Sequence, residues 1–228
     1  MTVPSAARVL LVLTSHADLG GIRETGFYID EAAEPWQVFT TAGYTVDLAS
    51  VQGGAPPQDG RRPGDPLQDD FLNDPQVAAA LADTPALAEV DAAGYDAVFY
   101  VGGHGTMWDF PTALDVARVG REVYQNGGVV AAVCHGPAAL LNLTLADGTH
   151  LIDGRQVTGF TNAEEQAVGL AEVVPFLLAD EMSARGATHL AAANFTENVV
   201  VDGRLVTGQN PQSAAGAARE VVAVLAGR

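Results

Sequence analysis

Four short apolar runs recur along the chain: RVLLVLTS (8–15), YTVDLAS (44–50), DAVFYVGG (96–103) and VVAAVCH (129–135). Each is rich in β-branched, aromatic or small residues, and stretches of helical spacing lie between them and after them: DEAAEPWQVFTTAG (30–43), DPQVAAALADT (74–84) and ALDVARVGREVYQNGG (113–128). Continuous apolar runs of this length suit strands covered on both faces. Strands alternating with helices imply a parallel sheet between two helical layers. Further on, HLIDGRQVTGF and NVVVDGRLVTG each set Asp-Gly-Arg between apolar runs, which predicts two hairpin additions. PQSAAGAAREVVAVLAG closes the chain as a helix, and residues 52–73, rich in Gly, Pro and Asp, read as a long polar surface excursion. A single α/β domain over 1–228 is expected.

Parallel sheets bind ligands beyond the carboxyl ends of their strands. Three strand ends here carry distinctive residues: Thr14-Ser15-His16, Gly102-Gly103-His104-Gly105 and Cys134-His135-Gly136. They are expected to converge on one crevice. Ala132-Val133-Cys134-His135-Gly136 fits the pattern of a nucleophile elbow, with cysteine at the nucleophile position and small residues where the strand-to-helix turn is tight. At the amino end of a following helix, free N–H groups and the helix dipole would favour thiolate, so a lowered Cys134 pKa is expected. Gly102 and Gly103 let the backbone approach a ligand closely and aim N–H groups at it, as an oxyanion site requires. A carboxylate early in the first helix could reach the same crevice, but spacing does not choose among Asp30, Glu31 and Glu34.

Composition narrows the chemistry. All eleven basic residues are arginine, so a Schiff-base lysine, pyridoxal-phosphate attachment and a phosphate-loop lysine are excluded. One cysteine excludes an internal disulfide and a cysteine-based zinc site. A net charge of −17 opposes nucleic acid and anionic membrane as partners. No apolar run is long enough to span a membrane. The apolar stretch Val9–Leu13 is too short for a leader and lacks a preceding basic cluster, so a buried first strand and a cytoplasmic protein are expected.

With these motifs in place, the chain resembles the ThiJ/PfpI superfamily, and within it the branch of glutathione-independent glyoxalases (glyoxalase III) and heat-shock chaperones. The resemblance runs through TGFYIDEAAEPWQVFTTAGYTVDLAS, GGHGTMWDFP, NGGVVAAVCHGPAAL, LIDGRQVTGFTNAEE and DGRLVTGQNPQSA. It implies a flavodoxin-like fold of the class I glutamine amidotransferase type. It also implies Cys134 as nucleophile, His135 as its histidine, and Glu165 as the carboxylate orienting that histidine, with adjacent Glu164 competing for the role. Glu31 would approach the sulfur and hold a proton. Gly103 and the His135 N–H would form the oxyanion site, and His104 would face the substrate beside Gly105. Larger bacterial relatives carry an extra amino-terminal region and a metal site; neither is carried over here, so no metal and no cofactor are expected. Relatives of this kind imply a homodimer.

Three functions follow. The first is conversion of methylglyoxal-like 2-oxoaldehydes to 2-hydroxy acids such as D-lactate, through a cysteine hemithioacetal. The second is a stress-response holdase or a redox sensor built on an oxidisable Cys134. The third and weakest is cysteine peptidase or amidotransferase action. Class I amidotransferases place a His-x-Glu motif downstream of the cysteine, and neither His150 nor His189 has glutamate two residues on.

Overall fold

The computed structural model describes residues 6–228. The start of the chain, read above for a leader segment, lies partly outside the described residues. In chain order the elements are β1 (Arg8–Leu13), β2 (Phe27–Tyr28), α1 (Ile29–Thr41), β3 (Thr45–Ser50), β4 (Gln58–Asp59), α2 (Pro66–Asn73) and α3 (Pro75–Ala82). They continue with β5 (Ala97–Tyr100), α4 (Thr106–Asp109), α5 (Leu114–Gln125), β6 (Val129–Val133), β7 (Gln156–Val157) and α6 (Asn162–Ala167). The chain then forms α7 (Leu178–Ala184), β8 (Thr188–His189), β9 (Val199–Asp202), β10 (Leu205–Gly208) and α8 (Ala214–Ala226).

The main sheet has the order β3-β1-β5-β6-β10-β9, parallel throughout except for the antiparallel β9 at its edge. Counted along the chain, its five parallel strands run 2-1-3-4-5, the flavodoxin-like arrangement. Register and the two-residue side-chain period divide the strands between two cores. Val9, Leu11, Leu13, Phe99, Ala131 and Val206 face Phe39 of α1 and Ala217 and Val221 of α8. Leu10, Val12, Val98, Tyr100, Val130 and Ala132 face Val116, Val119 and Val123 of α5. Fully burying each large apolar side chain contributes about 1.5–3 kcal/mol. Tyr100 is buried without loss because its hydroxyl donates to Val116 O at 2.6 Å.

Two expectations need correction. The 52–73 excursion is not all loop, since its end forms α2. Asp65 accepts from the N–H groups of Leu67 and Gln68, and Pro66 supplies the first helical position. With eight residues and few apolar positions, the segment carries too little periodicity to reveal this from sequence. HLIDGRQVTGF is also no hairpin. Leu151 and Ile152 before its turn sink into the core, and β7 pairs in parallel with β8, far along the chain. The second Asp-Gly-Arg segment does form its hairpin, with Leu205 opposite Asp202.

Candidate active site

The turn after β6 holds Cys134 at a φ of +60°, a left-handed conformation rare for a residue with a side chain. Its N–H donates to Gly208 O at 2.9 Å, and its carbonyl accepts from Phe160 N–H at 2.8 Å, so β10 and the 160 loop brace the turn. A Cβ on Gly136 would run into the Tyr100 carbonyl. That close approach explains why glycine follows the Cys-His pair. The segment after it, Gly136–Leu140, is a short 3-10 turn and not the α-helix read from sequence. Pro137 and the apolar run behind it are buried in the core, and five residues carry no substantial dipole.

His135 lies at the centre of a polar chain. Its Nδ1 is 3.3 Å from Cys134 Sγ, and its Nε2 is 2.7 Å from Glu165 Oε2. The other Glu165 oxygen, Oε1, is 3.0 Å from His104 Nε2. One carboxylate therefore serves two imidazoles, whose rings lie 4.1 Å apart. Burial, then the neighbouring His104, pulls His135 down to about 4 against the opposing pull of Glu165. Burial disfavours the Glu165 carboxylate, but the charge and hydrogen bonds of the two histidines outweigh it and hold the group at about 2. At neutral pH the pair is thus carboxylate and neutral imidazole. The carboxylate assigns the imidazole proton to Nε2 and leaves the Nδ1 lone pair towards sulfur.

Glu31 is brought in by the first turn of α1. Tyr28 N–H donates to Gly102 O at 3.0 Å, which docks the start of α1 on the end of β5. There the Glu31 carboxyl occupies the space a Gly102 side chain would need, beside Cys134 Cβ. Glu31 is fully buried, and neither oxygen has a hydrogen-bond partner of full geometry. Burial drives its pKa well up, with only the Cys134 thiol and Gly102 N–H acting against the rise. Burial also pushes the Cys134 thiol up, and an ionised Glu31 pushes it further. The lowered thiol expected from sequence is therefore overturned in the resting site, where burial exceeds anything a five-residue turn can supply. The other two acids of α1 are engaged elsewhere. Asp30 accepts from Arg62 Nη1 at 2.5 Å and Gln68 Nε2 at 2.8 Å, and Glu34 accepts from Ala215 N–H.

Glu164 has a separate place. Its Oε2 accepts from the N–H and hydroxyl of Thr161 in a capping box, and its Oε1 accepts from Phe195 N–H, Gln209 and Asn210. Geometry thus brings Glu165, not Glu164, to His135.

Cys134, His135, Glu31, Gly103 and His104 all line one cavity of about 360 Å³. Arg23, Tyr28, Asp59, Phe160, Val168, Leu170, Phe195, Pro211 and Gln212 complete its wall. Motif reading gave none of these residues a role, although Tyr28, Asp59, Phe160, Pro211 and Gln212 lay in segments singled out in sequence; Arg23, Val168, Leu170 and Phe195 lay in none. Gly105 is not on the wall and faces Thr14 and His16 O instead. The Thr14–His16 strand end does not reach the cavity either. Thr14 Oγ1 and Ser15 N–H both donate to Asp109 Oδ2 at 2.8 Å and so brace the 102–109 loop. A larger cavity of about 690 Å³ runs along the β3 edge past Trp36, Tyr44 and Val77, but no cysteine, serine or histidine lines it. Among the described residues, His104, His135 and Glu165 set ligand atoms within 4.8 Å of one another and are the group able to hold a metal ion. Here those side chains are hydrogen-bonded to each other.

The DJ-1/PfpI family model matches residues 23–224. Glyoxalase 3 of Candida albicans is 35% identical over 95% of this chain and 97% of its own length. The glutathione-independent glyoxalase HSP31 of Saccharomyces cerevisiae is 37% identical, over 91% of this chain and 93% of its own. Among solved structures, the Rapid Encystment Protein 24 kDa of Francisella tularensis superposes with a TM-score of 0.93 at 36% identity, covering 96% of this chain and 99% of that one. The crystal structure of glyoxalase III from Candida albicans gives 0.84 at 33% identity, covering 96% of this chain and 97% of that one.

Proposed function

The chain belongs to the DJ-1/PfpI family, and from that premise we propose that it is a glutathione-independent glyoxalase acting on small 2-oxoaldehydes. Relatives named for that activity match it over more than nine-tenths of its length, which supports an enzyme of the same kind. The observation that carries the chemistry is the relay from Cys134 Sγ through His135 to Glu165, with the proton-holding Glu31 beside the same cysteine.

In this reading His135 Nδ1 takes the thiol proton as Cys134 Sγ adds to the aldehyde carbon, forming a hemithioacetal. The Gly103 and His135 N–H groups steady the oxyanion, and His104 faces the second carbonyl. His135 passes the thiol proton to the hemithioacetal oxyanion and then takes the carbon-bound proton, while Glu31 gives its own proton to the second carbonyl oxygen, forming an enediol. His135 returns the proton to the second carbon and Glu31 takes the proton of the first hydroxyl, which gives the thioester. Water cleaves the thioester, releasing the 2-hydroxy acid and returning the thiol. The net change is addition of one water, with no outside oxidant, so methylglyoxal yields lactate and the expected enantiomer is D. Glu165 positions His135 and does not touch the substrate.

The single cysteine, suited to a reducing compartment, adds support to the expected cytoplasmic location, and the expected homodimer rests on the resemblance alone. The net charge of −17 supports a small-molecule substrate over a polyanion.

Purified protein assayed with methylglyoxal in the absence of glutathione, with enantiomer-specific detection of D-lactate, tests the proposal. Turnover that disappears in Cys134→Ser supports it. Turnover that survives this substitution, or none in the native chain, refutes it.

A further inference from the structure

Phe195 is the one non-glycine residue besides Cys134 held at a positive φ among the described residues, at +57°. For a bulky side chain this conformation is strained, and it persists only where the surroundings impose it. Phe195 is also 41% exposed, so core packing does not account for it.

The surroundings that impose it are buried and polar. Phe195 N–H donates to Glu164 Oε1 at 2.8 Å. The same oxygen accepts from Gln209 Nε2 and Asn210 Nδ2, and Asn210 Nδ2 also donates to Thr196 O at 2.8 Å. Gln209 Oε1 accepts from Ala192 N–H at 2.8 Å. Glu164, Gln209 and Asn210 are all fully buried and pin the 192–196 loop to the floor of the fold. Glycine or asparagine would satisfy such a turn without strain. The pinned turn instead sets an aromatic ring on the rim of the cavity that holds Cys134.

That ring continues an apolar wall. Phe195 lies 6.4 Å from Phe160, and Phe160 lies 4.4 Å from the His135 imidazole, between ring centres. Val168 and Leu170 also line the cavity, as do Arg23, Tyr28 and Asp59. A volume of about 360 Å³ falls in the range that encloses ligands far larger than methylglyoxal, whose carbonyls are flanked by a single methyl group.

We propose that Phe195 is a specificity-determining residue: it receives the side arm of the substrate, so that 2-oxoaldehydes with an aromatic or branched apolar arm are preferred over methylglyoxal. The inference rests on the glyoxalase reading above and narrows its substrate class. Its physical basis is removal of apolar surface of the arm from water against Phe195 and Phe160.

The test compares initial-rate kcat/KM for phenylglyoxal and methylglyoxal in the native protein and in Phe195→Gly, Phe195→Asn and Phe195→Tyr. Glycine and asparagine accept the left-handed turn, so both variants keep the loop while removing the ring. The native protein is expected to favour phenylglyoxal, chiefly through a lower KM. The glycine and asparagine variants should lose about tenfold of that preference, a size typical of one lost apolar contact in a pocket. Phe195→Tyr should restore it. Equal losses on both aldehydes, or an unchanged ratio while methylglyoxal is still turned over, would overturn the inference and leave the glyoxalase reading standing. A native protein that turns over neither aldehyde would overturn both.

Discussion

His135 Nε2 and Glu165 Oε2 meet at 2.7 Å in a buried contact that joins the β6 turn to α6. The contact sets the proton inventory of the cavity, and the first prediction follows from it. Burial lowers His135 from 6.5 to about 4, and the histidines lower Glu165 from 4.5 to about 2. Since His135 must be neutral to accept the thiol proton, kcat/KM should stay level through pH 6.5 and fall only as the pH drops through about 4. An acid limb at the ordinary histidine value would refute the assignment.

The same shifts predict the acid stability of the fold. Both groups have lower pKa values folded than unfolded, so the unfolded chain binds more protons on acidification. The His135 contribution is complete above 6.5 and is lost as the pH falls towards about 4; that of Glu165 is complete above 4.5 and is lost towards about 2. Below pH 4.5, where Glu31 is protonated folded and unfolded alike, Tm should therefore decline; between 4.5 and 6.5 the proton that Glu31 holds only in the folded chain offsets the His135 contribution. In Glu165→Gln the lower part of the decline should be shallower, as thermal melts over a pH series would read.

Glu31 and Glu165 should differ in what their removal costs. Glu31→Gln keeps the shape but cannot exchange a proton, and loss of a general acid–base costs about 10²–10⁴-fold in rate. Glu165→Gln keeps a hydrogen-bonding group beside His135 and should retain more turnover. Steady-state rates on variants shown to be folded by circular dichroism decide the order. The reverse order would exchange the proposed roles.

Glu31 should carry its proton in the resting protein at pH 7, because burial raises it well above 4.5. Infrared difference spectra of native protein against Glu31→Gln should show a protonated-carboxyl stretch that is absent from the variant. The Cys134 thiol, also raised by burial, should ionise at or above the ordinary value of about 8.5 in an ultraviolet titration. A transition well below that value would refute the raised thiol and point to a resting thiolate that accepts a hydrogen bond from protonated Glu31.

Gly136→Val should be destabilising, since its Cβ would enter the Tyr100 carbonyl. Overpacking of this kind costs about 1–3 kcal/mol, readable as a lower urea midpoint. Displacement of Cys134 should lower activity as well. Full stability with full activity would show that the turn tolerates a side chain.

What the sequence determined by itself was local: the apolar runs that become β1, β3, β5 and β6, and the Cys134-His135-Gly136 turn, whose small residues answer a steric demand a few bonds away. The Asp-Gly-Arg hairpin of β9 and β10 was legible for the same reason. The resemblance pointed to Glu31 and Glu165, but residue spacing could not choose among the neighbouring carboxylates, and the tertiary structure supplies the reason. Adjacent helical residues point about 100° apart, so Asp30 turns to Arg62 while Glu31 turns to the thiol, and Glu164 caps α6 while Glu165 reaches His135. The titration of Cys134 was decided there too, because burial is the sum of neighbours brought in from β5, α1 and the 160 loop. Phe195 carried no sequence signal at all. Its place on the cavity rim comes from a hydrogen bond to Glu164, thirty-one residues earlier, and the strain it bears exists only in the folded chain.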